Sequence, residues 1–241
     1  MEILSLLKRS IYHANFNEDF LFQHQLNPNI LVFAVMDGCS SGRDSHFVSG
    51  MYAKSIYKTC RVLPQMKEIL DDFDLETMAP NEIGEYILSQ LFQDLKKAKK
   101  LFFLQLEEVL ATLNLLVLDT KNKTASIHMS GDGIFSVNGK ITEIDQNNVP
   151  NFLGYHLADS FENVLENDIQ SWCFDKVEDI AIATDGLLKL THKTSKINPL
   201  ELFLNEKSTK NNKRYFEESY ADLIDKKFIS GDDIAIIRCV I

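Results

Sequence analysis

Residues 31–42, LVFAVMDGCSSG, constrain the fold more than any other stretch of the chain. Six consecutive apolar residues, 31–36, leave no polar face, so the segment reads as a strand buried on both sides. The run ends abruptly at Asp37-Gly38. A carboxylate at the mouth of a buried strand is costly unless a partner meets it. The glycine beside it admits close approach of an ion, a ligand or another backbone. The arrangement returns elsewhere. Residues 180–184 end in Asp185-Gly186, Gly231-Asp232-Asp233 opens the run 234–237, and Asn17-Glu18-Asp19 opens 20–22. Acids thus end some strands and begin others, and antiparallel pairing sets ends beside beginnings. All of these carboxylates are therefore expected at one edge of a sheet.

One pairing follows from spacing. Asn27-Pro28-Asn29 is a turn signal, and Pro28 stands midway between positions 19 and 37. A hairpin folded there sets Asp19 opposite Asp37. Directly opposed like charges are destabilising, so the site invites a cation.

The remaining chain reads as helices and hairpins. A first strand is expected near 1–7, a helix over 45–63 stopped by Pro64, and a longer helix from Pro80 to about Glu108 with Ile83, Ile87, Leu91 and Leu95 on one face. Asp71, Asp72 and Asp74 read as a solvated loop or a helix end. Strands follow at 113–118 and 125–129; Gly131-Asp132-Gly133 reads as a bulge before the strand resumes at 134–137. Asn138-Gly139 is a two-residue hairpin turn into 141–144. Another strand is expected at 169–174, with short helices over 198–208 and 215–227. Antiparallel sheets covered by helices are the class these elements build. A single domain over 1–241 is expected, with a loop excursion around 145–168.

Composition narrows the partners. A net charge of -10 and a pI near 5.1 argue against a nucleic-acid or anionic-membrane surface. The four cysteines lack zinc spacing and read as reduced thiols. The opening MEILSLLKRSIYHANF is too short in apolar residues for a signal peptide or a membrane span. A cytoplasmic protein is expected.

Clustered oxygen ligands suit Mg²⁺ or Mn²⁺ rather than zinc. Several carboxylates together suit two such ions roughly 3.5–4 Å apart, with Asp37, on the most buried strand, as the bridge. Such a pair activates water against a phosphoryl group, which points to metal-assisted hydrolysis of a phosphate ester. Taken in order, NED, FAVMDG, SGDG, ATDG and GDDIAII resemble the ordered motifs of the metal-dependent type 2C Ser/Thr protein phosphatases, in compact bacterial form. Ala111-Thr112-Leu113 fits the pattern too. The resemblance runs from Asn17 to Ile237 and implies a four-layer α-β-β-α sandwich of two antiparallel sheets. It implies that Asp37 bridges two ions, with the Gly38 carbonyl on one of them. Glu18 would serve the second ion, and Asp185 and Asp232 the first. Asp19 would orient metal-bound water from one layer further out, and Asp132 would help Asp185 hold a weaker third ion. The substrate it implies is a phosphorylated protein, hydrolysed at phosphoserine or phosphothreonine by a hydroxide bridging the ions.

Three positions depart from the family pattern. Ala14 stands where an Arg usually binds substrate phosphate, with His13 or Arg43 as candidate substitutes. Cys39 stands where eukaryotic members often carry His. Asp233 stands where Asn is common, and it also reads simply as a cap of the strand start; for Asp132, a bulge residue satisfied by backbone amides is the alternative. Two rival functions stay open: a catalytically weak or inactive member acting as a binding module, and a two-metal phosphatase of small-molecule phosphates.

Overall fold

The computed structural model describes residues 1–42, 44–68, 74–147, 149–206 and 214–241. Arg43, Asp71, Asp72 and the end of the helix expected at 198–208 lie outside them.

The chain begins with strands β1 (Glu2–Lys8), β2 (Asp19–Gln25) and β3 (Ile30–Asp37), then helices α1 (Ser45–Val62) and α2 (Pro80–Leu101). A strand-rich middle follows: β4 (Leu113–Asp119), β5 (Thr124–Ser130), β6 (Gly133–Val137) and β7 (Lys140–Ile144). After α3 (Phe161–Asn167) come β8 (Gln170–Phe174), β9 (Asp179–Ala183) and the short β10 (Leu190–Thr191). Helices α4 (Pro199–Leu204) and α5 (Tyr215–Asp225) precede β11 (Ile229–Ser230) and β12 (Ile234–Val240). One five-stranded sheet has the order β2-β3-β4-β5-β8, the other β1-β12-β9-β6-β7, and β10 pairs with β11 in a small ribbon. All the pairings are antiparallel.

The doubly buried character of β3 has a direct cause. Its even residues, Ile30, Val32, Ala34 and Met36, pack under α1 and α2. Its odd residues, Leu31, Phe33 and Val35, pack against the second sheet. Period-two alternation thus feeds two cores, which is why no polar face shows. β12 divides the same way: Ala235, Ile237 and Cys239 face the first sheet, while Ile234 and Ile236 face α4 and α5. The layers are therefore helix, sheet, sheet, helix, as expected.

The hairpin spacing is realised: Asp19 pairs with Asp37, and the Asn27 side chain accepts from the amides of Asn29 and Ile30, both at 2.8 Å. Two other expectations are corrected. α2 ends at Leu101 rather than near 108; Phe103 is left-handed at φ 54° and the Leu104 amide turns back to the Lys99 carbonyl. Gly131-Asp132-Gly133 is no bulge within one strand. It is the turn by which the chain leaves the first sheet at β5 and enters the second at β6, with φ of 87° at Gly131 and 154° at Gly133, values glycine adopts readily. Residues 145–168 hold a 3-10 turn, Leu153–His156, as well as α3. Among the described residues no helix is long and apolar enough to cross a membrane.

Arg238 is the largest charged group in the interior, 2% exposed on the helix-facing side of β12. Its guanidinium donates to both carboxylate oxygens of Asp179 on β9, at 2.9 and 2.6 Å, and to the carbonyls of Phe203 and Glu206 at the end of α4. It joins two neighbouring strands to the carbonyls at the exit of a helix, which otherwise lack partners. Arg238→Ala should destabilise the protein by about 3–5 kcal/mol, the usual cost of removing one partner of a buried pair. Urea denaturation measures it, and a loss below about 1 kcal/mol would show that water replaces the guanidinium.

Candidate active site

Period-two alternation also aims the acids. Asp37 continues the odd series of β3, so its carboxylate faces the space between the sheets. Asp19 opens β2 directly opposite, on the face it shares with Leu21. Asp185 begins a 3-10 turn just after β9, and Asp232 lies in the turn between β11 and β12. The acids thus meet at one end of the sandwich, between two sheets, and not along the edge of one as expected. The reason is topological, since β9 and β12 pair with each other in the second sheet while β2 and β3 pair in the first.

The electrostatics record their convergence. Burial, then the charges of Asp19, Asp185 and Asp232, push the Asp37 carboxyl well above the usual range. Asp19, 2% exposed, is raised by burial against the opposing hydrogen bond from Thr184 Oγ1 at 2.6 Å. Asp132, in the turn joining β5 to β6, is raised to about 6 by burial and then by the charge of Asp185.

Glu18 is held from three sides. Ser40 Oγ and Ser45 Oγ donate to its carboxylate at 2.7 and 2.6 Å, and its carbonyl accepts from Ser49 Oγ and the Gly38 amide. Asp233 clamps the same segment. Its carboxylate, 1% exposed, accepts from the amides of Ser10 and Glu18 at 2.6 and 2.5 Å and pairs with His13 at 2.9 Å. It fastens the loop after β1, a role beyond capping its own strand. Glycine beside each central acid is a steric necessity. A Cβ on Gly38 would overlap the Ser45 carbonyl, and one on Gly186 the Asp233 carbonyl.

The family model of protein phosphatase 2C matches residues 8–221. The chain belongs to the protein phosphatase 2C family. The solved structures agree on the fold. A bacterial serine phosphatase superposes with a TM-score of 0.63 at 14% identity, covering 100% of this chain and 98% of the other. RsbX in complex with magnesium gives 0.58 at 14%, covering 98% and 92%, and PppA, a regulatory component of the T6SS in Pseudomonas aeruginosa, gives 0.62 at 16%, covering 100% and 97%. Comparison with curated proteins finds no match.

Against the phosphatase 2C pattern, two departures take structural form. Ala14 is exposed and its carbonyl accepts from Arg9 Nη1 at 2.8 Å. His13 points inward, its Nε2 3.8 Å from Glu18 and 3.9 Å from Asp232, so it faces the acids themselves. Lys189 is the feature that sequence reasoning missed. Its ammonium sits 2.8 Å from Asp185 and 2.6 Å from Asp232. Burial works against that charge, but the two carboxylates outweigh it and hold the ammonium above its usual pKa. Its closeness to Asp185 in the sequence was the available signal.

The donor set suits the divalent ions that the family implies: carboxylate oxygens with no sulfur, crowded enough to perturb one another, and already drawing in a cationic group. Among the described residues, no three His, Cys, Asp or Glu side chains are gathered into a ready-made coordination set. Their oxygens are instead taken by serine and threonine hydroxyls, backbone amides and Lys189.

The raised pKa of Asp37 carries a pH dependence. Its folded-state value lies above the unfolded one, so the proton favours the fold at low pH and that stability is lost as pH rises through the folded-state value. In chelator, Asp37→Asn should therefore raise Tm at pH 7.5, by about 2–4 °C for each kcal/mol of repulsion relieved. The gap from the native protein should shrink at pH 5. An equal Tm at both pH values would remove the claimed repulsion.

Proposed function

We propose that the protein is a metal-dependent phosphatase, a single domain over 1–241, that hydrolyses phosphoserine or phosphothreonine in proteins. The observation that carries this is the convergence of Asp37, Asp19, Asp185 and Asp232 from two sheets onto one space. Family membership supports it, as do the magnesium in the RsbX complex and the serine phosphatase among the similar structures.

Asp37 would hold two Mg²⁺ or Mn²⁺ ions in common, with the Gly38 carbonyl on one of them, Glu18 toward one ion and Asp185 and Asp232 toward the other. Such ions would supply an activated water and positive charge for the phosphoryl group. The chain's own part is positioning. Ser40 and Ser45 fix the Glu18 carboxylate, and Thr184 fixes that of Asp19, which would orient water at the site. Asp233 holds the Glu18 backbone in register. Asp132 would serve a weaker third ion with Asp185. Cys39, whose sulfur rests 3.0 Å from Ser41 Oγ, is left out of proton transfer. No residue here is asked to form a phosphoenzyme.

Assays on an aryl phosphate and on phosphopeptides, with and without Mn²⁺, test this reading. Asp37→Asn, Asp185→Asn and Asp232→Asn should each lower the rate by about 10²–10³ or more, while Asp132→Asn keeps the paired ions bound. Full Mn²⁺-dependent activity in Asp37→Asn would falsify it. One observation favours a non-catalytic binding module instead, namely the lysine already paired with Asp185 and Asp232. Native protein inert on every substrate at saturating Mn²⁺ would establish that alternative, and turnover of small phosphates alone would mark a small-molecule phosphatase.

Ala14 yields a separate expectation. With no guanidinium there, substrate phosphate should be held weakly, so Ala14→Arg should lower KM for an aryl phosphate with less change in kcat. An unchanged KM would mean that another group already grips the phosphate.

A further inference from the structure

Lys189 is placed by backbone as well as by charge. Its amide donates to the Gly186 carbonyl at 3.0 Å, and its own carbonyl accepts from the Gly231 amide, also at 3.0 Å. Immediately beyond, β10 pairs with β11, setting Leu190 opposite Ser230. The lysine is therefore stitched between the turn that carries Asp185 and the turn that carries Asp232. Its ammonium donates to Oδ2 of both carboxylates, while the second oxygen of Asp232 accepts from the Asp233 amide at 2.9 Å.

A divalent ion of this class binds oxygen at about 2.0–2.1 Å. An ammonium at hydrogen-bonding distance from those two Oδ2 atoms repels such an ion and spends part of the same negative charge. The two cations therefore compete for the same pair of acids. The lysine side chain is 42% exposed, and its flexible stem gives the displaced charge a path to solvent.

We propose that Lys189 is an internal competitor for the divalent ion at Asp185 and Asp232, neutralising that half of the site when metal is scarce and raising the metal concentration needed to fill it. The proposal rests on the metallophosphatase reading and adds to it a built-in threshold. Near Glu18 the described residues place the His13 imidazole at 3.8 Å rather than an ammonium at hydrogen-bonding distance, so the weaker competition there sets the order of loading: Asp37 and Glu18 first, Asp185 and Asp232 second.

Calorimetric titration with Mn²⁺ of native protein, Lys189→Met and Lys189→Arg tests it, together with melts in chelator. Lys189→Met should bind the later ion about tenfold or more tightly than native, within the range by which neighbouring groups tune metal affinity. Lys189→Arg, which keeps the cation, should titrate like native protein. Adding Asp185→Asn to Lys189→Met should abolish the gain, which locates it. In chelator, Lys189→Met should melt about 2–4 °C lower, because Asp185 and Asp232 then face each other without a counter-charge, and Lys189→Arg should not. Equal Mn²⁺ affinity in native protein and Lys189→Met overturns the competitor and leaves the phosphatase reading standing. Absence of Mn²⁺ binding in both overturns the phosphatase reading and the competitor with it.

Discussion

Asp19 and Asp37 face each other at the mouth of a hairpin, one of them almost wholly buried, and Asp185 and Asp232 arrive from the opposite sheet. Concentrating negative charge at the end of an apolar sandwich is unfavourable by burial and by repulsion alike. Much of the surrounding detail answers that cost. Hydroxyls of Ser40, Ser45 and Thr184 donate to the acids, amides of Ser10 and Glu18 converge on Asp233, and Lys189 supplies positive charge. The apolar layers hold these groups in place. Two cores fed by one alternating strand leave little freedom for β3 to slide, so the acid at its end is placed by packing far from it.

The parts of this arrangement that sequence made legible were those governed by local rules. The buried run of β3 named its own strand, and the spacing about Pro28 set Asp19 against Asp37 before any tertiary information was needed. Helices α1 and α2 followed from apolar spacing and from prolines. The arrangement of the acids between sheets was not legible in this way. Residue patterns show that a strand is buried on both faces but not whether helix or sheet does the burying, so one edge of one sheet and one end of a sandwich look alike. Gly131-Asp132-Gly133 suffered the same ambiguity: a bulge and a change of sheet both ask for glycine.

Two charged residues escaped for a different reason. Arg238 shares the helix-facing side of its strand with Ile234 and Ile236, where a charge has no local reason to be, and its burial is explained by Asp179 and by the carbonyls of Phe203 and Glu206, all far away in the chain. Lys189 is marked in the sequence only by its closeness to Asp185-Gly186. Its meaning depends on Asp232, more than forty positions away and brought near by the β10–β11 ribbon. Long-range polar partnerships of this kind have no period and leave no mark on neighbouring residues.

The glycines beside the central acids carry one more consequence. Gly38 and Gly186 are packed so tightly against the carbonyls of Ser45 and Asp233 that even a methyl group has no room. A saturation library screened only for soluble, folded protein would already be depleted of every substitution at these two positions. The aspartates beside them would tolerate amides in that screen and fail only in one for turnover. Within each Asp-Gly pair, then, one residue answers to selection for shape and the other to selection for chemistry, and comparing the two screens would separate constraints that the dipeptide presents as one.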